Sequence, residues 1–297
     1  MAGNKSALRA YDCCVDGVTE TKLARLREAF RQRGRVLVAL SGGVDSAVCM
    51  QIAHETLGFD NALGVTARSE TLTESEFAET RALAARQGWN HCVIEYSELE
   101  IPNYAANPVN RCYFCKHELF SRLTALARES GYTCVVEGTN FDDRGDYRPG
   151  MAAANEFGTW APLLQCEVTK AEVREMARYF GLPNSDKPSG ACLSSRFPYG
   201  TPITREGLNQ VAAAEEFLRS MGFRQVRVRH HDRLARIELP ASEIPNLFQG
   251  GAYARVAARL REIGYTYVTL DLAGYRTGSL NEVLPRPSDE AGQANSA

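Results

Sequence analysis

The sequence predicts an α/β protein, with a doubly wound parallel sheet followed by a smaller C-terminal α+β domain. Strand-like and helix-like segments alternate through the first two thirds, as in a parallel sheet covered by helices. The strand-like segments are short β-branched and aliphatic runs, which buried parallel strands require. After PYGTP at 198–202 the alternation stops and two strands follow each other. We therefore predict domains at 1–200 and 201–284.

Hydrophobic periodicity and helix caps define the elements of the first domain. They are helix 18–32, strand 36–40, helix 46–57, strand 62–67, helix 73–87, strand 91–96, helix 116–130, strand 133–137 and helix 169–180. Thr169 caps the last helix, and Gly181-Leu182-Pro183 ends it. Ligands of such sheets bind at the carboxyl ends of the strands. The loops at those ends are 41–46, 66–72, 97–115 and 138–150.

The second domain has a different order of elements. They are helix 204–221, strands 225–231 and 234–240, helix 252–263 and strand 265–272. This α-β-β-α-β order is typical of a small α+β domain. Residues 285–297 are polar and rich in Pro, Ser, Asp and Gly, so we predict a disordered tail.

Composition limits the class of protein and its partners. The 297 residues are 44% hydrophobic and 24% charged, as in a globular protein. With 34 Lys and Arg against 36 Asp and Glu the net charge is −2, so we do not expect a nucleic-acid partner. The sequence contains no run of about 18 apolar residues and no signal-type apolar segment, which favours a cytoplasmic protein away from membranes. Nine cysteines then indicate reduced thiols, metal binding or catalysis rather than disulfides.

The segment SGGVDS at 41–46 carries the most specific signal. It joins a predicted buried strand to a predicted helix, and the loop consists of Ser41, Gly42, Gly43, Val44, Asp45 and Ser46. Glycines allow close approach to phosphate oxygens, and a helix N-terminus offers N–H groups and a favourable dipole. We expect Asp45 to orient Mg²⁺ or the loop itself. An ordinary capped turn would need one glycine and one cap, and the Walker A pattern GxxxxGK[ST] is absent.

Three cysteines lie in predicted loops. Cys112 and Cys115 form a C-x-x-C pair, and Cys192 lies in SGACLSSRF. The pair alone could be half a zinc site, a redox pair or part of a cluster. No fourth zinc ligand is evident, whereas three thiolates leave one position open, as a reactive [4Fe–4S] cluster requires. The other cysteines in apolar segments are interpreted as core residues.

Arginines near these motifs have two interpretations each. Arg196, four residues after Cys192, could favour the thiolate, or it could be a solvated loop arginine. Arg227 and Arg229 alternate along a strand, so both project from one face and could clamp a phosphate. The alternative is an ordinary exposed strand face.

Several motifs together resemble one known family. SGGVDS resembles the pyrophosphate loop of the ATP-pyrophosphatase superfamily, whose fold is Rossmann-like and similar to adenine nucleotide alpha hydrolases. SGGVDS, NRCYFCKHELF, VVEGTNFDD, KPSGACLSSRFPYGTPIT, VRVRHHDRLARIEL and LDLAGYRTGSLNE together resemble LarE, over about residues 18–284. LarE proteins are ATP-dependent sulfur transferases that build the nickel-pincer nucleotide cofactor of lactate racemase. The resemblance implies adenylylation of a carboxylate of pyridinium-3,5-biscarboxylic acid mononucleotide, followed by displacement of AMP by sulfur.

The resemblance also implies roles for individual residues. One branch of the family sacrifices a single cysteine, which becomes dehydroalanine; the other holds a [4Fe–4S] cluster with three cysteines. Cys192 matches the cysteine common to both branches, and Cys112 and Cys115 match the two additional cluster ligands. The remaining matched residues are Thr66 and Arg68 near adenine, Gly138 in the loop lining the reaction centre, and Arg227 and Arg229 at the substrate phosphate. ATP, Mg²⁺, a [4Fe–4S] cluster and a sulfide donor are the implied cofactors and partners, and we expect a homo-oligomer.

Other functions remain open at this point. A tRNA thiolase shares the loop, the adenylylation and a three-cysteine cluster, although the charge and the missing zinc-ribbon pair argue against it. An amidotransferase or ammonia-dependent synthetase would place a glutaminase module or ammonia site where this chain has its cysteines. A nucleotide-binding scaffold with structural zinc belongs to a different class, and metal analysis would distinguish it.

Overall fold

The described part of the chain packs as two compact units. The structure is a computed structural model that describes residues 16–144, 149–188 and 190–284. Unit 1 contains the described residues up to Tyr104 and those between Pro108 and Gly190; unit 2 contains Ala105–Asn107 and the described residues from Ala191 onward. The predicted tail at 285–297 lies outside the described residues. The predicted domain boundary after residue 200 stays a prediction.

Unit 1 is the predicted doubly wound α/β fold. Its elements are α1 (Gly17–Arg33), β1 (Val36–Ala39), α2 (Val44–Leu57), β2 (Ala62–Arg68), α3 (Glu74–Gln87), β3 (Asn90–Glu95), α4 (Arg111–Glu129), β4 (Cys134–Val136), α5 (Pro149–Glu156), α6 (Pro162–Gln165) and α7 (Lys170–Tyr179). The four strands are parallel, in the order β3-β2-β1-β4. The carboxyl ends of all four strands therefore lie at one edge of the sheet, where the predicted loops follow them.

Helices cover both faces of this sheet, because alternate residues of β1 point in opposite directions. Val36 and Val38 are buried in a core with side chains of α1, α2 and α7. Leu37 is buried in a second core, which includes Phe120 and Leu123 of α4. This two-sided burial explains why β1 is a continuous aliphatic run.

Helix α4 begins five residues before the predicted start at 116. Asn110 precedes the helix and is a favoured N-cap residue type, but its side chain makes no capping hydrogen bond. The Arg111 amide instead donates to the Pro108 carbonyl at 2.9 Å. Cys112 and Cys115 therefore lie on the first turns of a helix and not in a loop. The short helices α5 and α6 were not predicted either.

Unit 2 is a mixed sheet covered by helices on one face. Its elements are α8 (Arg205–Ser220), β5 (Arg227–His231), β6 (Leu234–Glu238), α9 (Ile244–Leu247), α10 (Ala252–Ile263) and β7 (Tyr267–Leu270). Strand β6 pairs antiparallel with β5 and parallel with β7. Val228, Ala235 and Ile237 pack on Leu218 and Leu260 of the helices. The opposite face carries the charged residues of the strands.

The segment 105–107 belongs to unit 2, although it interrupts the sequence of unit 1. Asn107 is fully buried, and its side-chain amide donates to the carbonyls of Phe197, Pro198 and Thr201 at 3.4, 2.7 and 3.0 Å. Its φ is +55°, a left-handed conformation in which asparagine is tolerated well. No helix in the described ranges is long and apolar enough to span a membrane.

Candidate functional site

Loop 41–46 leads from β1 into α2 and is held by its own hydroxyl groups. Ser46 Oγ donates to the Gly43 carbonyl at 3.1 Å and accepts from the Ser41 amide at 3.2 Å. The two serine hydroxyls lie 3.1 Å apart. Helix α2 begins at Val44, and no described side chain caps its N-terminus. The first N–H groups of α2 are thus available to an anion, as the sequence predicted.

Two glycines allow this loop to pack tightly. Gly42 has φ +76°, and a Cβ there would lie 2.1 Å from Thr80 Oγ1. A Cβ on Gly138, which follows β4, would lie 3.0 Å from the Ser46 amide nitrogen. Any larger residue at either position would move the loop. Gly138 therefore lies against loop 41–46, consistent with its predicted place near the reaction centre.

Asp45 is held by two side chains that reach the loop from other segments. Its carboxylate forms an ion pair with Lys170 and accepts a hydrogen bond from the Asn140 amide at 3.2 Å. Lys170 is the first residue of α7, directly after the Thr169 cap. Both carboxylate oxygens of Asp45 are engaged, which fits its predicted role in orienting the loop. Sequence reasoning found the helix cap but missed Lys170, because nothing local indicates where a lysine side chain will reach.

Thr66 and Arg68, predicted near adenine, are already engaged by neighbouring groups. Thr66 is buried and donates to the Leu40 carbonyl at 2.8 Å, so His91 Nε2 is the donor in the 2.8 Å contact with Thr66. Thr66 thus holds the end of β1 just before the loop. Arg68 pairs with Glu74 and Glu95. The adenine assignment stays a prediction.

A groove of about 550 Å³ lies beside Arg68 and runs along the edge strand β3. Its lining includes Phe77, Arg81, Trp89 and His91 but no residue of loop 41–46. Because the groove leaves out loop 41–46, we do not assign it to ATP.

The cysteines of the predicted cluster are divided between the units. Cys112 is exposed and Cys115 is half-buried on α4 of unit 1, whereas Cys192 is exposed in unit 2. Among the described residues, no three His, Cys, Asp or Glu side chains form a group that could hold a metal ion. The [4Fe–4S] cluster remains a prediction from the sequence.

Cys192 lies in a short turn, residues 191–196, which we call the cysteine turn. The Ser195 amide donates to the Cys192 carbonyl at 3.0 Å, which starts a 3-10 turn over Leu193–Arg196. Arg196 donates to the Ala191 carbonyl at 2.8 Å and to the Cys192 carbonyl at 3.3 Å. The backbone on both sides of the Cys192 side chain is therefore tied to one guanidinium group.

Arg196 is itself buried and paired. It forms two hydrogen bonds with Glu215 of α8, at 2.7 and 2.9 Å, and only 5% of the residue is exposed. Burial would raise the pKa of Glu215, but the charge and hydrogen bonds of Arg196 and the charge of Arg219 hold that pKa below its ordinary value. The alternative of a solvated loop arginine is wrong. The predicted effect of Arg196 on the thiol stays a prediction.

Arg227 and Arg229 lie on one face of β5, and their surroundings differ. Arg229 is 2% exposed and pairs with Glu238 through two hydrogen bonds of 2.9 Å. Arg227 is half-buried, and its guanidinium lies over the Tyr275 ring at 4.8 Å. The interpretation as an exposed strand face is wrong for Arg229. Sequence reasoning missed both glutamates, because each is 9 or more positions away from its arginine.

Comparisons found one family model and several known proteins that match this chain. A family model described as NAD synthase matches residues 20–113. An uncharacterised protein of Synechocystis is 46% identical over 90% of this chain and 99% of its own length. Pyridinium-3,5-bisthiocarboxylic acid mononucleotide synthase of Lactiplantibacillus plantarum is 40% identical over 90% of this chain and 96% of its own length. A tRNA-specific 2-thiouridylase of Nitrobacter winogradskyi is 29% identical, over 52% of this chain and 48% of its own.

The four-stranded parallel sheet, the SGGVDS turn and the open N-terminus of α2 define an α/β protein of the PP-loop class. The alignment with the L. plantarum synthase runs through both units and nearly the whole of that relative. The chain belongs to the LarE family.

Proposed function

We propose that this protein is an ATP-dependent sulfur transferase acting on pyridinium-3,5-biscarboxylic acid mononucleotide. The observation that carries the proposal is the open N-terminus of α2 behind a two-glycine turn, in a chain 40% identical to a synthase of the bisthiocarboxylic product. The product would serve the nickel-pincer cofactor of lactate racemase, as the family resemblance implies.

The first step is adenylylation of a substrate carboxylate. The carboxylate oxygen attacks the α-phosphorus of ATP, the bond to the bridging oxygen breaks, and pyrophosphate leaves. Loop 41–46 would hold the β- and γ-phosphates through its N–H groups, with Mg²⁺ balancing their charge. Lys170 and Asp45 support this assignment, because their ion pair places a cation beside a loop that lacks a lysine of its own.

The second step is displacement of AMP by sulfur. Adenylylation removes the negative charge that protects a carboxylate from attack and supplies a good leaving group. In one route an added sulfide attacks the acyl carbon and AMP leaves with the electron pair of the broken C–O bond. In the other route the Cys192 thiolate attacks the acyl carbon, and AMP leaves with the electron pair of the broken C–O bond to give a thioester. Loss of a proton from its Cα and cleavage of its Cβ–S bond then leave the thiocarboxylate and dehydroalanine at position 192.

The substrate phosphate is assigned to the arginines of unit 2. Arg227 favours this assignment, because it is half-buried and no carboxylate of the described residues lies within ion-pair distance of it. Burial lowers the pKa of Arg227, and the charges of Arg196 and Arg229 lower it further. An anion bound there would favour the charged form and so oppose this lowering of the pKa.

The products of ATP test the first step. Wild-type protein with ATP and the nucleotide substrate should give AMP and pyrophosphate in equal amounts. Asp45→Ala and Ser46→Ala should stop pyrophosphate release while circular dichroism shows a folded chain. Formation of ADP and phosphate would refute the proposal. Turnover of tRNA in place of the mononucleotide would favour a tRNA thiolase.

The sulfur route is tested by the cysteines of α4. We expect three-cysteine chemistry from the sequence, so Cys112→Ala and Cys115→Ala should each abolish iron retention and sulfide-dependent multiple turnover, with pyrophosphate release intact. The sacrificial route predicts that both variants complete one turnover. In that route mass spectrometry would find Cys192 lighter by one H₂S. Anaerobic iron and sulfide analysis with peptide mass spectrometry distinguishes the two.

A further inference from the structure

Strand β3 is the last strand of the four-stranded sheet, and one of its edges has no neighbouring strand among the described residues. The Tyr96 amide, directly after β3, donates to the Arg68 carbonyl of β2 at 3.3 Å. Because backbone groups alternate between the two edges of a strand, those of residues 90, 92 and 94 also point to β2. The N–H and C=O groups of His91, Val93 and Glu95 therefore point to the free edge, where no described residue pairs with them.

The side chains of these three residues also lie together, on one face of the sheet. Cys92 and Ile94 pack against the core that includes residues of α4. Since side chains alternate between the faces of a strand, those of His91, Val93 and Glu95 lie on the opposite face, where they line the groove of about 550 Å³. The free edge and the groove are thus two sides of one surface.

The sequence of β3 does not protect its free edge. Edge strands are commonly protected by proline, lysine, a bulge or a covering segment. Strand β3, Asn90–Glu95, has no proline or lysine, and its register with β2 is uninterrupted. Its middle, residues 92–94, is the apolar run Cys-Val-Ile. An edge of this kind is suited to the addition of another strand.

A second copy of the chain fits this edge about a twofold axis. In antiparallel pairs, residues whose backbone groups point toward each other exchange two hydrogen bonds. With the axis at Val93, His91 of one copy lies opposite Glu95 of the other, and Val93 lies opposite its own counterpart. All the outward-pointing backbone groups of both strands are then paired. The two groove faces stay on the same side of the joined sheet.

The charges along the groove agree with this register. Arg81 of α3 lines the groove, lies over the Phe77 ring at 5.7 Å and forms no ion pair with a described residue. Burial lowers the pKa of His91 and the charge of Arg81 lowers it further, so these two side chains are neighbours. The Glu95 side chain is 66% exposed and pairs with Arg68 of its own copy. Across the axis its carboxylate comes beside His91 and Arg81 of the other copy.

Helix α3 supplies the additional area that a stable interface needs beyond a strand edge. A second concavity of about 530 Å³ shares Phe77 and Arg81 with the groove and is also lined by three alanines, Ala78, Ala82 and Ala85. These alanines are exposed and recur at about one helical turn. Small side chains permit a short distance between two helix axes. The α3 helices of two copies can therefore approach each other above the joined strands.

We propose that β3 is an interface between two copies of this chain, which join their sheets antiparallel about a twofold axis at Val93. His91 and Glu95 pair across the axis at both ends of the contact. Because the joined strands run in opposite directions, the two copies of loop 41–46 lie at opposite edges of the joined sheet. The proposal rests on unit 1 alone and is independent of the proposed function.

The size of the assembly is the first test. A twofold contact joins copies in pairs, so sedimentation of the full-length protein should find an even number of copies. Glu95→Arg places like charges beside His91 and Arg81 at two symmetric points, so the dissociation constant should rise about tenfold or more. Glu129→Arg, the same change at an exposed residue of α4, should leave the dissociation constant within about twofold of wild type. Circular dichroism confirms that each variant is folded.

Two further variants test the register and the backbone pairing. His91→Glu combined with Glu95→Arg restores opposite charges across the axis, so the dissociation constant should return to within about threefold of wild type. Val93→Pro removes an N–H that points to the free edge, whereas the hydrogen bonds to β2 use residues 90, 92 and 94. The sheet of each copy should persist in Val93→Pro, and the association should be lost.

Cross-linking locates the axis. Opposite residues of a hydrogen-bonded pair have Cα atoms about 5.5 Å apart, within the range of a disulfide. Val93→Cys oxidised with diamide should join two copies at position 93, as seen by non-reducing electrophoresis and peptide mass spectrometry. Val18→Cys, at an exposed position of α1, should not join copies at position 18. A single copy or an odd number of copies in wild type, or an assembly unchanged in Glu95→Arg and Val93→Pro, would overturn the inference.

Discussion

The loop 41–46 of unit 1 and the arginine-bearing face of β5 in unit 2 both offer hydrogen-bond donors to anions, but they are built from different groups. The loop uses backbone N–H groups, small side chains and two glycines. Its one ion pair, Lys170 with Asp45, is partly exposed, with 26% and 21% of the side chains accessible. The face of β5 carries Arg229, whose guanidinium is held by the buried Glu238, and the nearby cysteine turn carries Arg196, which is held by the buried Glu215.

This difference decides how each site responds to change. Backbone donors depend on the conformation of a few consecutive residues, so the loop is sensitive to any added side-chain atom. Buried ion pairs depend on partners far apart in sequence, and the loss of one partner leaves a charge without compensation. The loop is therefore a local structure, whereas the β5 face is a tertiary one.

The largest effect on stability should come from a buried carboxylate of unit 2. Glu215→Ala removes the buried carboxylate that pairs with Arg196 and accepts from the Val228 amide, so we expect the free energy of unfolding to fall by about 3–5 kcal/mol. Urea unfolding followed by circular dichroism measures this loss. Glu216→Ala, the exposed neighbour on α8, should stay within about 0.5 kcal/mol of wild type. Equal losses for both variants would contradict the comparison.

A single methyl group added at Gly42 should disrupt the conformation of loop 41–46. Gly42→Ala places a Cβ 2.1 Å from Thr80 Oγ1 in a left-handed conformation, so we expect a loss of about 1–3 kcal/mol and no measurable ATP binding by calorimetry. Gly88→Ala is the matched control, because Gly88 has φ +69° but an added Cβ would meet nothing within 4 Å. That variant should lose about 1 kcal/mol and still bind ATP. If Gly42→Ala still bound ATP, the assignment of loop 41–46 to the nucleotide site would be wrong.

The exposed ion pair of the loop should matter to chemistry more than to stability. Lys170→Met removes a partly exposed partner of Asp45, so we expect the free energy of unfolding to change by about 1 kcal/mol or less. Pyrophosphate release should nevertheless fall well below that of wild type. Lys187→Met, which breaks another partly exposed lysine pair, should leave pyrophosphate release unchanged. A large loss of stability in Lys170→Met would show that this pair contributes to stability as the buried ion pairs of unit 2 do.

The smallest effects concern pH, and they should have opposite signs in the two units. Burial raises the pKa of Glu137 in unit 1, so its contribution to stability is lost as pH rises above 4.5 through the folded-state value. The pKa of Glu215 is lowered despite its burial, mainly through Arg196, so its contribution is lost as pH falls below 4.5. The free energy of unfolding is measured with urea between pH 3 and 8. Glu137→Gln should lack the loss of stability with rising pH, and Glu215→Gln should lack the loss of stability with falling pH. Slopes of the same sign would contradict the two assignments.

Local patterns were sufficient for most of the fold and for loop 41–46. Aliphatic strands, the cap at Thr169 and the two glycines act within a few residues, and the elements they predict are confirmed. The start of α4 was missed, although asparagine is a favoured N-cap residue; the Asn110 side chain makes no capping hydrogen bond in the structure. The partners of Arg196 and Arg229 were missed because the chain must fold before 196 meets 215 and 229 meets 238.

Asn107 has a consequence for recombination between related genes. Its three carbonyl partners all lie in unit 2, while the described residues up to Tyr104 and those between Pro108 and Gly190 belong to unit 1. A chimaera with a single junction near residue 190 would combine unit 2 of one relative with residues 105–107 of another. Asn107 would then face turns from a different sequence. Exchange of this unit between relatives therefore needs three crossover points, two around residues 105–107 and one near residue 190, so its sequence is expected to be inherited together with residues 105–107.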